Sequence, residues 1–162
     1  MAEIKKTNAA RFLDTLKLPY SMCQYEVDET DLSGVHAAHM LGVTPEVVFK
    51  TLVARSDSKQ LLVACIASSS EIDLKALAKI ANVKRCELIA VKELLGLTGY
   101  VRGGCSPLAM KKHYPTFIDA SALHHEKIYV SAGLRGVQLL LSPNDLIKAS
   151  QAVCAPIAKV LL

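Results

Sequence analysis

The sequence predicts a fold of mixed α and β structure, in which helices cover a mixed β-sheet. Two strand-like segments, residues 49–55 and 60–67, are joined by Ser56-Asp57-Ser58-Lys59, a pattern typical of a β-hairpin. Other strand-like segments are separated by segments with the apolar spacing of helices. Strands thus occur both as hairpin neighbours and as helix-separated units, which argues against a regular doubly wound parallel fold.

Capping and turn residues define the elements of the first half. Residues 7–18 show the apolar spacing of a helix and end just before Pro19. Ser33 predicts the N-cap of a helix that runs to Leu41, with Gly42 at its C′ position. The further elements are a strand over 21–27, a helix start at Thr44-Pro45-Glu46, a helix capped by Asp73, a strand over 86–90 and a short helix around Glu93.

The second half contains more strand than helix. Strand-like segments cover residues 116–118, 126–131 and 136–141. Ser142-Pro143-Asn144-Asp145 has the chemistry of a helix start and predicts a helix near residues 146–152. We see no repeat, low-complexity tract or Gly/Ser-rich linker, so all 162 residues are predicted to form a single domain.

Composition and charge favour a soluble protein of the reducing cytoplasm. Hydrophobic residues make up 51% of the chain, enough for a well-filled core, and the five cysteines show no CxxC spacing that would favour disulfides or zinc. The N-terminus lacks the apolar core of a signal peptide, and the longest aliphatic run, residues 61–67, is too short to span a bilayer. The net charge of +4 permits an RNA or phosphate partner. We expect neither a membrane nor DNA as a partner.

The segment from residue 98 to residue 112 predicts a binding loop built from the backbone. Gly103 and Gly104 have no Cβ, so a ligand can approach the main chain closely, and Pro107 stiffens the exit from the loop. Backbone N–H groups in such a loop can face a carbonyl or an anion. The alternative is a plain glycine turn between two elements. Three cations that suit phosphate flank the loop, namely Arg102, Lys111 and Lys112.

Lys50 is the most informative single position outside this loop. Strand alternation places it on one face with Val48 and Leu52. A lysine among apolar neighbours either reaches solvent at the end of the sheet or lines a pocket. In a pocket, its ammonium could position a phosphate or polarise a carbonyl. Thr51 should point to the opposite face, so that only its backbone would share the pocket.

Motifs of familiar catalytic centres are absent from the sequence, since GxSxG, Walker A, HExxH and GxGxxG do not occur. His124 and His125 are adjacent, and strand geometry would direct them to opposite faces. His36 and His39 could share a helix face but lack a third ligand. Cys105 has no obvious activating base for a role as nucleophile. We therefore expect no metal site and no cofactor.

Three sequence blocks, in order along the chain, together resemble a known family. They are Phe49-Lys50-Thr51-Leu52, Thr98-Gly99-Tyr100 with Gly103-Gly104-Cys105-Ser106-Pro107-Leu108, and Tyr129-Val130-Ser131-Ala132-Gly133 with Arg135-Gly136. The combination resembles the YbaK family of freestanding aminoacyl-tRNA deacylases, which is related to the editing domain of bacterial prolyl-tRNA synthetases. This resemblance implies an α+β fold, with a mixed, mostly antiparallel sheet curled into a partial barrel and surrounded by helices.

The resemblance also implies roles for particular residues. Lys50 would be the essential lysine near the scissile ester and the terminal phosphate. Gly103 and Pro107 would belong to a GxxxP loop whose backbone holds the aminoacyl carbonyl, with Gly103 acting in catalysis. Tyr25 would be a pocket tyrosine after the first strand, and Ser131 would lie at the pocket wall. The other residues implied to bind substrate are Thr51, Gly104 and Ser106.

A mechanism without a protein nucleophile follows from the same resemblance. In cysteine-specific members, the substrate thiol attacks its own ester and leaves as a thiolactone, so the protein needs only to position the ester and stabilise negative charge. Two positions depart from the family pattern. Ala109 follows Leu108 where glycine is common, and Gln138 stands where many relatives have an acidic residue. Both departures bear on pocket shape and amino-acid preference.

The implied function is trans-editing, in which a hydrolase removes mischarged cysteine from tRNA(Pro). The implied partners are the acceptor end of an aminoacyl-tRNA and prolyl-tRNA synthetase. Two alternatives stay open. One is a deacylase for alanine or another small amino acid that uses water or a tRNA hydroxyl. The other is a noncatalytic module that binds tRNA or a synthetase, for which salt-sensitive binding without cleavage would be the sign.

Overall fold

The computed structural model describes residues 4–160 of the chain. Capping side chains begin four of its helices: Thr7, Ser33, Asp73 and Ser142 each accept a hydrogen bond from a backbone N–H in the first turn. The α-helices are α1 (Asn8–Thr15), α2 (Gly34–Leu41), α3 (Leu74–Ile80), α4 (Val91–Thr98) and α5 (Pro143–Ser150), with short 3₁₀ helices at Pro45–Val47 and Ala120–His124.

Ten strands in the described residues form three sheets, where the sequence predicted one mixed sheet. The strands are β1 (Ser21–Gln24), β2 (Phe49–Ser56), β3 (Leu61–Ala67), β4 (Ser70–Ile72), β5 (Cys86–Leu88), β6 (Thr116–Asp119), β7 (Ile128–Leu134), β8 (Val137–Leu141), β9 (Val153–Ala155) and β10 (Ala158–Val160). The sheet orders are β5-β2-β3-β6-β9, β1-β8-β7 and β10-β4. A parallel bridge between Val48 and Tyr129 links the two larger sheets.

The predicted hairpin is the centre of the five-stranded sheet. β2 and β3 pair antiparallel from Phe49 opposite Ala67 to Arg55 opposite Leu61. β5 joins β2 antiparallel, whereas β6 and β9 add parallel strands on the other side. The other two sheets are antiparallel throughout. The mixed α+β class is therefore confirmed, and the curl into a partial barrel stays a prediction.

Strand alternation divides the core between the two faces of the hairpin. Phe49 and Cys65 face a cluster that also contains residues of α1, β7 and β8. Leu52 and Ala54 face a second cluster, which includes Leu77 of α3. Lys50 shares the face of Leu52, as the sequence predicted. Lys50 and Thr51 therefore lie on opposite faces of the hairpin.

Several predicted boundaries differ from the structure. The first strand ends at Gln24, short of the predicted residue 27. The last helix begins at Pro143 and ends at Ser150, because Gln151 takes a left-handed φ of 57°. The sequence at Thr44-Pro45-Glu46 starts only a 3₁₀ turn. Among the helices of residues 4–160, we find none with the length and apolar character to cross a bilayer.

Candidate active site

A cavity of about 380 Å³ brings together most of the predicted site residues. Its walls come from β2, the start of α2, the β5–α4 segment, the glycine loop and the β7–β8 pair. Tyr25, Lys50, Thr51, Gly103 and Ser131 all line it. The other three predicted residues, Gly104, Ser106 and Pro107, lie outside the lining.

Lys50 is a half-buried cation in this cavity. Burial lowers its pKa from the ordinary value, and the Glu71 carboxylate partly opposes that shift. Among the described residues, Lys50 takes part in no ion pair. A lysine that is partly desolvated and unpaired can direct its charge toward a bound anion or a polarised carbonyl. The pocket alternative for Lys50 is therefore the one that the structure favours.

Thr51 turns its side chain away from Lys50, as strand alternation requires. Its Oγ1 lies 3.8 Å from Sγ of Cys65, the residue directly opposite on β3. Both residues lie on the face of the hairpin that carries Phe49. The contact anchors the hydroxyl within the protein.

Gly103 and Gly104 are glycines for two different reasons. Gly103 has a left-handed φ of 82°, and a Cβ there would lie 3.1 Å from Cβ of Leu32. At Gly104, an added Cβ would lie 3.0 Å from the backbone nitrogen of Arg135. The Gly104 N–H donates to the Val101 carbonyl at 2.9 Å, whereas the Gly103 N–H has no backbone partner among the described residues. Gly103 thus lines the cavity, and its N–H is paired with no backbone carbonyl of the described residues.

Ser106 and Pro107 support the glycine loop from behind. Both are buried, and the Leu108 N–H donates to Oγ of Ser106 at 3.2 Å, which closes a tight turn. Pro107 borders a separate, smaller cavity of about 190 Å³. The three loop residues outside the lining therefore fix the path of the backbone that carries Gly103.

Cys105 lines the cavity but is poorly suited to nucleophilic attack. Burial raises the pKa of its thiol to about 12, although the neighbouring Thr98 side chain acts in the opposite direction. The thiolate is the reactive form, so the thiol stays unreactive near neutral pH. Burial thus disfavours a nucleophilic role for this side chain.

The three cations that flank the loop have different positions. Arg102 lines the cavity and is exposed. Lys111 donates to the Gly96 carbonyl at 3.3 Å, close to the C-terminal end of α4. Lys112 is exposed and borders the smaller cavity. Of the three, Arg102 alone can add charge to the main cavity wall.

Arg135 holds the base of the loop in place. Its Nε donates to the Arg102 carbonyl at 2.9 Å, and its Nη1 pairs with the Glu29 carboxylate at 2.8 Å. The family resemblance includes Arg135-Gly136 in its third block, and this contact gives the arginine a structural task. The Arg102 backbone is thereby fixed while its side chain stays at the cavity.

Sequence reasoning missed the apolar wall of the cavity. The lining side chains Leu88, Ile89, Val91 and Leu94 come from β5, α4 and the connection between them, and Leu88 and Val91 are 45% and 60% exposed. In the sequence this segment showed only an ordinary strand and helix. Gln138 also lines the cavity, and its departure from the family pattern was the one sequence signal that marked it. Further lining residues that we did not predict are Leu32, Ser33, Gly34, Ala37 and Ser68.

The sequence match over most of the chain identifies an editing domain. The sequence model of the family described as the aminoacyl-tRNA editing domain matches residues 32–149, and this chain belongs to that family. The match spans Lys50, the glycine loop and Ser131. The protein is thus an enzyme of aminoacyl-tRNA editing, and the resemblance that the three blocks carried is confirmed.

Two known proteins are similar to this chain over at least three quarters of its length. EbsC of Enterococcus faecalis, provisionally named a Cys-tRNA(Pro)/Cys-tRNA(Cys) deacylase, is 39% identical over 153 residues that cover 94% of this chain and 93% of its own. The uncharacterized protein YwhH of Bacillus subtilis is 23% identical over 75% of this chain and 76% of its own.

Solved structures share the fold. The hypothetical protein APE2540 superposes with a TM-score of 0.84 at 23% identity, covering 92% of this chain and 97% of that one. A protein provisionally described as a trans-editing enzyme for prolyl tRNA synthetase superposes with a TM-score of 0.79 at 18% identity, covering 96% of this chain and 99% of that one. At these identities the likeness shows the fold alone.

Proposed function

We propose that this protein is a trans-editing deacylase that removes mischarged cysteine from tRNA(Pro). The observation that carries the proposal is a cavity in which a cation, Lys50, and a backbone donor, Gly103, are present while the one thiol of the described lining, Cys105, stays protonated. Such a site can position and polarise an ester but offers no strong nucleophile of its own. A substrate that carries a thiol supplies what the site lacks.

The chemistry then balances with groups of the substrate. The cysteine sulfur forms a bond to the ester carbonyl carbon, the bond from that carbon to the ribose oxygen breaks, and the thiol proton ends on the ribose hydroxyl. Water afterwards opens the released thiolactone to free cysteine. The Gly103 N–H donates to the carbonyl oxygen as negative charge develops, and Lys50 stabilises that charge electrostatically. Intramolecular attack of this kind has an effective molarity on the order of 10⁵ M or more when the geometry is favourable.

The cavity also suits the acceptor end of the tRNA. A volume of about 380 Å³ exceeds the needs of a cysteine side chain and leaves room for the terminal ribose. Lys50 and Arg102 supply positive charge for the terminal phosphate. The exposed apolar side chains of Leu88 and Val91 lie at the cavity and would contact the terminal nucleoside. This assignment keeps tRNA contacts to the end of the acceptor strand.

Recognition of the tRNA body then falls to a partner, for which prolyl-tRNA synthetase is our proposal. A net charge of +4 gives the protein little electrostatic hold on a whole tRNA. The name of EbsC gives cysteine on two different tRNAs as its substrates. This fits a site that recognises the amino acid rather than the tRNA. One of the structural neighbours is itself described as acting for prolyl tRNA synthetase. We place this reaction in the cytoplasm, where the reducing conditions keep a substrate thiol free.

The partial barrel belongs to the same proposal. The bridge between Val48 and Tyr129 joins the three-stranded sheet to the strand that carries Lys50. Ser131 and Lys50 line one cavity from these two sheets. A sheet curled through this bridge would bring the two walls of the cavity together.

Side-by-side hydrolysis of Cys-tRNA(Pro) and Ala-tRNA(Pro) tests the proposal. The variant is Lys50→Met, which keeps the aliphatic stem but removes the charge, and Lys127→Met on the exposed surface is the matched control. We expect rapid loss of cysteine alone, abolished in Lys50→Met and unchanged in Lys127→Met. Cleavage of alanine would replace the thiol mechanism with attack by water or a tRNA hydroxyl. Salt-sensitive tRNA binding without cleavage of either substrate would overturn the enzymatic proposal.

A further inference from the structure

Gln138 carries a buried amide whose Oε1 has no hydrogen-bond partner among the described residues. The residue is 5% exposed and lies in β8, the central strand of its sheet, directly opposite Cys23 on one side and Ser131 on the other. The large majority of buried side-chain polar atoms have a partner. Oε1 is closed to solvent in this conformation, and a rotation of the amide about χ3 turns this acceptor toward a bound ligand.

Strand alternation directs Gln138 to the cavity side of β8. Val137 and Leu139, its neighbours along the strand, both join the hydrophobic core on the other face. Gln138 lines the cavity together with its cross-strand neighbour Ser131. The Ser131 Oγ already accepts the Gly133 N–H at 3.1 Å, so this hydroxyl is fixed within β7. The Gln138 carbonyl is thus the uncommitted acceptor of this wall.

Among the described residues, the charged side chains of the cavity provide no hydrogen-bond acceptor for the amino group of a substrate. Lys50 and Arg102 are cations, and none of the described lining residues is an Asp or a Glu. Gln138 is the one residue among them with a side-chain carbonyl. An aminoacyl ester carries its own cation, the α-ammonium, whose N–H groups require acceptors when water is excluded.

We infer that Oε1 of Gln138 accepts a hydrogen bond from the α-ammonium of the aminoacyl group and so orients the amino acid in the cavity. This inference rests on the proposed deacylase function. The Gly103 N–H holds the ester carbonyl at another wall, so the two contacts fix the aminoacyl group at two points. Because an amide is neutral, Gln138 binds the ammonium without placing a negative charge near the attacking sulfur.

A substrate that lacks only the α-amino group tests the contact. We would compare cysteinyl-tRNA with 3-mercaptopropionyl-tRNA, which keeps the thiol and the ester, in the wild-type protein and in Gln138→Met. A hydrogen bond to a charged group predicts that kcat/KM of the wild type falls about 10- to 100-fold when the amino group is removed. Gln138→Met should lose a similar factor on cysteinyl-tRNA and should no longer distinguish the two substrates. Leu140→Met, two residues along β8 and outside the cavity lining, is the matched control.

A purely structural role for Gln138 gives a different result. Gln138→Met would then slow both substrates by the same factor, and the preference of the enzyme for the amino group would persist, which would overturn the inference. Gln138→Glu keeps an acceptor oxygen and should retain the preference for cysteinyl-tRNA. Loss of the preference in Gln138→Glu with unchanged thermal unfolding would likewise contradict the contact.

Direct binding separates this inference from the proposed function. The probes are 3′-amino-3′-deoxyadenosine linked by an amide to cysteine or to 3-mercaptopropionate, neither of which can be hydrolysed as an ester. If the protein cleaves no aminoacyl-tRNA, the proposed function fails, but calorimetric titration with these two probes still decides the contact. Tighter binding of the cysteine probe that disappears in Gln138→Met supports the contact. Equal binding of both probes by the wild type overturns it.

Discussion

The Tyr100 hydroxyl donates a hydrogen bond of 2.6 Å to the Leu108 carbonyl, across the base of the glycine loop. The same hydroxyl lies 3.3 Å from the Ala109 carbonyl. Leu108 is 2% exposed, so its carbonyl has little access to water. This contact ties together the two ends of the loop, which lie on either side of Gly103.

Tyr100→Phe removes this tie while keeping the ring in place. Leaving a buried carbonyl unpaired costs about 1–3 kcal/mol. We therefore expect the free energy of unfolding to fall by about that amount, together with a lower kcat for deacylation. Chemical denaturation and single-turnover kinetics measure the two effects. Tyr114→Phe is the control: it removes a comparable hydroxyl bond, to the Leu97 carbonyl at 2.7 Å, outside the main cavity. Equal kcat losses in both variants would contradict a specific role for Tyr100.

The conformation of Gly103 makes a second prediction. A residue with a Cβ in the left-handed region costs about 1–2 kcal/mol, and here the Cβ would also press on Leu32 at 3.1 Å. Gly103→Ala should therefore destabilise the protein and lower its activity. Gly96→Ala is the matched control, since a Cβ there meets nothing within 4 Å in helix α4. Alanine should stabilise this helix by about 1 kcal/mol, which thermal unfolding would show. Normal activity in Gly103→Ala would contradict a role for Gly103 in the reaction.

Ala109 occupies a position that favours glycine. Its φ of 59° lies in the left-handed region, and the side chain is exposed. Ala109→Gly relieves about 1–2 kcal/mol of backbone strain, while the greater freedom of the unfolded chain offsets about 0.4–1 kcal/mol. We expect a small net stabilisation of about 1 kcal/mol or less. A lower melting temperature in this variant would show that the neighbouring contacts hold alanine in place without strain.

Much of the fold could be predicted because its signals are local. The cap at Ser33, the left-handed Gly42 and the β2–β3 hairpin all depend on residues close in sequence, and the structure confirms them. Three strands were not predicted, namely β4, β9 and β10, which are each three residues long and pair with distant segments. Their partners lie far away in the sequence, so no hairpin pattern marks them.

The site residues likewise divide into those with a local sequence signal and those without one. Lys50 and Gly103 could be identified because an isolated charge in a strand and paired glycines are visible locally. The cavity wall at Leu88 and Val91 arises from packing between elements, which no local pattern indicates. The buried amide of Gln138 is likewise a property of the assembled sheet.

Buried thiols predict how stability changes at high pH. Burial raises the pKa of Cys65 and of Cys105 to about 12, from 9.0 in the unfolded chain. Above pH 9 the unfolded state loses protons that the folded state retains, so the free energy of unfolding falls as pH rises toward 12. Each thiol contributes about 1.4 kcal/mol per pH unit in that range. Denaturation at several pH values under reducing conditions measures how the free energy of unfolding changes with pH. Cys105→Ala removes one of the two thiols and should reduce that slope by about 1.4 kcal/mol per pH unit. An unchanged slope in this variant would contradict burial as the cause.

The pKa of Lys50 predicts the alkaline limit of activity. Burial lowers this pKa from 10.5, and the Glu71 carboxylate opposes the shift. If the cation is the active form, kcat/KM falls as pH rises through that lowered pKa. Glu71→Gln removes the opposing charge, so the Lys50 pKa falls further and the alkaline limb moves to lower pH. Glu126→Gln, an exposed change elsewhere, should leave the profile in place. A pH–rate profile that Glu71→Gln leaves unmoved would assign the alkaline limb to a group other than Lys50, such as the substrate thiol.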